Sequence, residues 1–136
     1  SQRVKKRASF RPYACSLAEE EMQQAFGAQR SAHSLAARWM QTSAHVSPEM
    51  REKLRAAMHI DGTTRPHICS ESENQRLHRL LQEFRKHTGL AALLNTSFNE
   101  SGMPMVATGL EALLMFLRTD MDLLVVGDST FSKEAK

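Results

Sequence analysis

The segment Leu93-Leu94-Asn95-Thr96-Ser97-Phe98-Asn99 carries an apolar run straight into polar side chains, with Gly102 shortly after. Side chains alternate in extended chain, so Asn95, Ser97 and Asn99 line one surface while Thr96 and Phe98 face the other. Three neutral hydrogen-bonding groups at the carboxyl end of a strand stand where open α/β sheets hold ligands. The same residue types also build polar turns. A second group is basic. Lys5 and Arg7 stand at i and i+2, with Arg11 four residues beyond. Arg offers a planar fork to phosphate and Lys a point charge, a combination suited to a phosphoanhydride or acyl phosphate. A solvated basic arm has the same composition.

Asp61-Gly62-Thr63-Thr64-Arg65 forms a third cluster. Gly62 permits a tight turn or a close approach of backbone to ligand, the threonines offer hydroxyls, and Arg65 offers an anion clamp. A plain turn with a surface Arg reads equally from this spacing. The six histidines (His33, His45, His59, His67, His78 and His87) show neither HExxH nor a zinc pattern and read as surface or structural residues. Cys15 and Cys69 form no CxxC pair and carry no signature of a Cys/His nucleophile. There is no P-loop and no GxGxxG, so any nucleotide needs a different cradle.

Helix starts and short apolar runs position these groups. Ser16 with Glu19, Ser72 with Gln75 and Thr108 with Glu111 each fit a capping box, which predicts three helices. The first carries Met22 and Phe26 and stops at Gly27. The second has a stripe of Leu77, Leu80, Leu81 and Phe84, with His87 in its last turn before Gly89. The third repeats the spacing with Leu110, Leu113, Leu114 and Leu117. Residues 57–60, 91–94 and 123–126 read as buried strands, and 10–16 and 64–70 as further strands that Pro12 and Pro66 push toward edges or strand starts. Residues 28–48 give only Trp39 and Met40 as anchors. Ser47-Pro48-Glu49 opens a short helix through Leu54. The expected fold is α/β, a mixed sheet packed with helices in a single domain over residues 1–136.

The formal charge is +3, yet Arg3, Lys5, Lys6, Arg7 and Arg11 all precede the first acid, Glu19. Taking those five from the 18 basic residues leaves 13 against 15 acidic ones. Basicity is therefore local, which argues for an anion site or a basic arm over a general nucleic-acid surface. No apolar run approaches a membrane span of ~20 residues, and no secretory segment accompanies the cysteines, so a reducing cytoplasmic setting is expected. The chain opens on Ser-Gln without an initiator Met, an opening expected of the tail of a longer protein.

Taken in order, Lys5-Lys6-Arg7, Ser9-Phe10-Arg11-Pro12-Tyr13-Ala14, His59-Ile60-Asp61-Gly62-Thr63-Thr64-Arg65 and Leu93-Leu94-Asn95-Thr96-Ser97-Phe98-Asn99 resemble the carboxyl-terminal domain of NodU/CmcH/TobZ-type carbamoyltransferases. Gly102-Met103-Pro104-Met105-Val106 is similar to the family's G-x-P-[IM]-V segment, and Met121-Asp122-Leu123-Leu124-Val125-Val126-Gly127 to its closing strand. The resemblance implies a YrdC-like twisted mixed sheet in which a K-x-R pair and an S-x-N pair grip phosphate groups; these fall on Lys5, Arg7, Ser97 and Asn99. It departs at Ala8, where the family often has an acid, and at Met103, where it often has Glu.

What the resemblance implies chemically is formation of a carbamoyl adenylate from carbamoyl phosphate and ATP, with Mg2+ accompanying the ATP and no tightly bound cofactor. Lys5, Arg7 and Arg65 would hold negative oxygens while Ser97 and Asn99 orient them, these five converging on one anion, and Arg11 and Asn95 are further candidate binding residues. No general base or metal ligand is assigned. Transfer to a hydroxyl acceptor belongs to a TsaD-like domain that has no counterpart in these 136 residues. Two competitors remain: a non-catalytic nucleotide- or anion-binding module that docks on a transferase, and RNA binding through the basic arm. The second is disfavoured, because the rest of the chain is net acidic and holds one Trp and one Tyr for stacking.

Overall fold

A computed structural model describes residues 2–5 and 13–133; Arg7, Arg11 and residues 10–12 of a predicted strand lie outside the described residues. The elements in order are α1 (Gln2–Lys5), β1 (Ala14–Ala18), α2 (Met22–Phe26), β2 (Ala44–His45), β3 (Thr63–Thr64), β4 (Pro66–Cys69), α3 (Gln75–Thr88), β5 (Ala92–Asn95), α4 (Gly109–Arg118), β6 (Leu123–Val126) and β7 (Ser129–Ser132), joined by short 3-10 turns. They gather into two compact units, one of residues 13–96 and one of residues 2–5 with 97–133.

The larger unit is built on a mixed sheet in the order β4-β1-β5. β1 runs parallel to β4, with Ser16 opposite His67, and antiparallel to β5, with Ala14 opposite Asn95. All five residues of β1 are buried, as a central strand covered on both faces requires. Alternation sorts its side chains. Cys15 and Leu17 join Ile68 and Ala92 on one face, against Phe26, Val46 and Met50. Ala18 and Cys69 occupy the other face, where Leu81 and Leu77 of α3 cover them together with Ala91 and Leu93. Pro66 opens the edge strand β4, where its missing donor costs nothing.

The smaller unit joins α4 to the β6–β7 hairpin. Thr108 and Glu111 form a complete capping box at the start of α4, each bonding the other's backbone N–H. Ala112 and Phe116 pack with Leu124, Phe98 and Val106 in its core. Gly127 and Asp128 make the hairpin loop, and Gly127 supplies the positive φ of 60° that its first position needs.

Several expectations are corrected. Ser16 is no helix cap: it lies inside β1, and the helix that follows begins only at Met22, though it stops at Gly27 as read. The second helix is capped by Asn74, whose carbonyl oxygen accepts from Leu77 N–H, and not by Ser72. Its inward positions are Leu81 and His78, the latter paired with Glu20, while Leu80 and Phe84 are exposed. Residues 57–60 form no strand; a 3-10 turn ends at Ala57. The helix expected from Ser47 is a 3-10 turn, Pro48–Met50, and the Ser47 hydroxyl donates to Gln24 O instead. Trp39 is no buried anchor, being 58% exposed. On α4 three leucines of the stripe, Leu110, Leu114 and Leu117, are exposed, while Leu113 packs beside the core that Ala112, Met115 and Phe116 take. In β6 only Leu124 is buried.

Candidate functional site

In the smaller unit the Lys5 ammonium sits among four oxygens. It donates to Ser97 O and Asn99 O at 2.5 Å each, to Asn99 Oδ1 at 2.7 Å, and approaches Ser97 Oγ at 3.2 Å. The Ser97 hydroxyl donates to Asn99 Oδ1 at 2.5 Å, and Asn99 Nδ2 donates to Met103 O, which ties the pair to the Gly102 turn. An ammonium has three hydrogens, so four acceptors oversubscribe it and the long Ser97 contact is the easiest to exchange. These four oxygens are neutral, and they position the ammonium. Lys5 is only 8% exposed. A cation fixed beside a hydroxyl and an amide can hold a phosphate oxygen.

The local chain explains the arrangement. β5 stops at Asn95, and residues 98–99 form a bend. The alternation expected to align Asn95 with Ser97 and Asn99 therefore does not run past Asn95. The bend turns both the carbonyls and the side chains of Ser97 and Asn99 onto one ammonium. Arg65 and Asn95 belong to the larger unit. Arg65 is half-buried just before β4, and its carbonyl accepts from Cys15 N–H.

Asn95 lies in a second polar cluster, on the sheet face that α3 covers at its other end. Asn95 Nδ2 donates to Ser16 Oγ at 2.8 Å, and Ser16 Oγ lies 2.8 Å from His67 Nδ1. Burial lowers the pKa of His67, against the opposing pull of Glu73, which keeps the ring neutral. The Trp39 ring stands beside it, centroids 6.5 Å apart and tilted by 32°. Ser16 and His67 were missed as a site. Their signal was a polar residue inside each of two otherwise apolar strand runs, Ala14-Cys15-Ser16-Leu17-Ala18 and Pro66-His67-Ile68-Cys69.

Other candidates resolve into structural roles. Asp61 Oδ1 accepts from both the N–H and the hydroxyl of Thr63, bonds that lower its pKa, and the Thr64 hydroxyl donates to Ala57 O. The Asp-Gly-Thr-Thr run is thus a turn closing on itself, with Gly62 at φ 81°. Burial pushes the Cys15 thiol up to about 12 and raises Cys69 as well, which leaves neither a nucleophile. Among the described residues no group of His, Cys, Asp or Glu could hold a metal ion. No helix among them is long and apolar enough to cross a membrane.

Beside Asn99 opens a cavity of about 220 Å³, walled by Met103, Pro104, Met105 and Leu114, with Glu100 and Arg118 also among its lining residues. Apolar walls with a few polar groups are the common make-up of a small-molecule site.

Fold and site together define an α/β protein in which Ser97 and Asn99 hold the buried ammonium of Lys5. The family model for the carbamoyltransferase C-terminus matches residues 1–133, and the chain belongs to that family. It is 38% identical over 130 residues to nodulation protein NolNO of Sinorhizobium fredii, covering 96% of this chain and 19% of that protein. It is 38% identical to nodulation protein NolO of Bradyrhizobium diazoefficiens, over 91% of this chain and 22% of that one. A 3'-hydroxymethylcephem-O-carbamoyltransferase of Amycolatopsis lactamdurans is 32% identical over 59% of this chain and 15% of its own length. The chain spans about a fifth of the length of the first two relatives.

Proposed function

We propose that this domain binds carbamoyl phosphate and ATP and forms a carbamoyl adenylate, which a further, TsaD-like domain of the same protein or of a separate chain passes to a hydroxyl acceptor. The observation that carries the reading is the Lys5 ammonium held by both Ser97 and Asn99, residues 92 and 94 positions away in the chain. Such a cradle suits a phosphate oxygen. The apolar cavity beside Asn99 offers room for the flat, weakly polar part of a nucleotide. Membership in a carbamoyltransferase family supports the carbamoyl group, and the name of the cephem relative supports a hydroxyl acceptor.

The stoichiometry follows from the bonds. Water releases phosphate from carbamoyl phosphate, and the resulting carbamate oxygen attacks the α-phosphorus of ATP and expels pyrophosphate. Charge neutralisation by Lys5 and by the other predicted cations, Arg7, Arg11 and Arg65, supplies the catalysis, since positioning and electrostatics dominate phosphoryl chemistry. Mg2+ arrives with ATP as part of the co-substrate. The reading assigns the protein to the cytoplasm, where both substrates are made.

The experiment supplies ATP and carbamoyl phosphate to the chain and measures phosphate and pyrophosphate together. Equal release of both, abolished in Ser97→Ala and Arg65→Ala, is the expected result. Nucleotide binding with no pyrophosphate replaces the enzyme reading with a non-catalytic anion-binding module. Identical binding of both ligands by all three proteins removes the site.

A further inference from the structure

We propose that residues 34–40 form a latched strap along the edge of the larger unit's sheet, and that it swings aside to let carbamoyl phosphate reach the predicted binding residues Arg65 and Asn95. The proposal takes its ligand from the reading above and adds a step that controls access. The strap consists of the 3-10 turn Leu35–Trp39, entered from Ser34 in extended chain and left through Met40. It lies beside β4, an edge strand of the sheet. Burial does little to hold this cover in place. Ala37 alone of residues 34–40 is buried, and an alanine removes little apolar surface from water, while the large side chains of Leu35 and Trp39 are exposed.

Charge holds it instead. Arg38 Nη2 donates to Glu19 Oε1 and Nη1 to Glu73 Oε2, both at 2.6 Å. Glu19 directly follows β1, and Glu73 stands between β4 and α3, where Ser70 Oγ also donates to it at 2.9 Å. One guanidinium thus ties the strap to the carboxyl ends of two neighbouring parallel strands. All three side chains are partly exposed, so water screens both pairs and each is weak. Because a single residue carries both, they form and break together. The clasp is firm enough to set a resting position and weak enough to release.

Met40 supplies the hinge. Among the described residues it is the one non-glycine with a positive φ, at 58° with ψ 25°, a left-handed conformation that a side chain with a Cβ adopts at a cost. This strain opposes the clasp, and release of the strap returns Met40 to an ordinary conformation. A strained joint set against a weak latch gives two states close in energy. Trp39 sits between latch and hinge. Its ring stands 6.5 Å from that of His67, whose Nδ1 lies 2.8 Å from Ser16 Oγ, the atom to which Asn95 donates. When Arg38 lets go, its neighbour Trp39 leaves His67 with it and the β4 side of this polar cluster opens.

Trp39 is the chain's single tryptophan, so its fluorescence reports on the strap. Stopped-flow mixing with carbamoyl phosphate should give an observed rate that levels off as the ligand concentration rises, at the rate of opening. Arg38→Gln should lift that plateau by roughly threefold to tenfold, the range of two screened ion pairs lost together. Met40→Asn, which tolerates the left-handed conformation better, should lower it severalfold. Hydrogen exchange reads the latch without ligand: the Gln41 amide, which donates to Ala36 O, should exchange severalfold faster in Arg38→Gln while the amides of β1 stay as slow as before. Arg38→Lys keeps the charge and serves if the Gln variant fails to fold, as judged by thermal melting; its plateau should lie between the two. A rate that climbs with concentration without a ceiling overturns the strap and leaves the proposed function standing, as do a plateau and exchange rates unchanged in a folded Arg38→Gln. Failure of the unaltered chain to bind carbamoyl phosphate in calorimetry overturns both.

Discussion

Replacing Lys5 by Met keeps most of the unbranched side chain and removes its charge. Three strong bonds vanish, to Ser97 O, Asn99 O and Asn99 Oδ1. A unit charge at about 4 Å from a phosphate oxygen is worth about 1 kcal/mol in water and about 4 kcal/mol at an effective dielectric of 20. Lys5 is 8% exposed, between these two limits, so about 2 kcal/mol is the reasonable middle, which is about a 30-fold loss of affinity. Calorimetry with tripolyphosphate, which has neither a base nor an acyl group, isolates this term. The salt dependence of binding should also become shallower, since one phosphate contact is gone. Lys5→Arg retains the charge and should lose much less. Met leaves the Ser97 and Asn99 oxygens without that donor, so the melting temperature should fall too, and binding must be measured well below it. Undiminished affinity and an unchanged salt slope in a folded Lys5→Met would refute the cradle.

Four further outcomes are expected. Phe116→Ala should cost about 3 to 5 kcal/mol in chemical denaturation, whereas Leu110→Ala on the exposed side of the same helix should stay within about 0.5 kcal/mol, as the observed orientation of α4 requires. Thr108→Ala should lower stability by about 1 kcal/mol while Thr108→Ser preserves it, because the hydroxyl is the capping group. The backbone N–H groups of Ala107 and Thr108 hold the Glu111 carboxyl below its ordinary range, so its contribution is present above the unfolded carboxylate pKa and is lost as pH falls through the lowered value. Melting curves of the chain and of Glu111→Gln should therefore differ near neutrality and converge in acid. Iodoacetamide at pH 8 should leave Cys15 and Cys69 untouched by mass spectrometry until denaturant is added.

Legibility varied with how many independent signals agreed. The capping box at Thr108 was readable because both of its bonds formed, and Gly27 and Gly89 marked helix ends because their positive φ values suit glycine. Ser16 misled, since a serine three residues before a glutamate fits a strand that ends in a turn as well as it fits a cap. The leucine stripe on α4 has the correct helical period, yet apart from Leu113 it lies off the core, where Ala112 and Phe116 pack with Leu124; period alone does not choose a face. Lys5 with Ser97 and Asn99 was legible only through resemblance, as neither composition nor spacing links residues so far apart. Ser16 and His67 escaped because a lone polar residue in a strand reads as structural until its neighbours across the sheet are known.

Lys5 also has a consequence in time. Ser97 follows it by 92 residues, so a ribosome releases the lysine long before the carbonyls that will hold it exist. The larger unit can fold in that interval, since its strands β1, β4 and β5 all precede residue 97. Closing so long a loop costs about 2 kcal/mol more than closing one of ten residues, a toll lifted if the prior folding of the intervening chain shortens the effective span. The Lys5 contacts are thus among the last that the nascent chain acquires: a chain arrested before Ser97 should present a folded sheet and lack the oxygens that hold this ammonium.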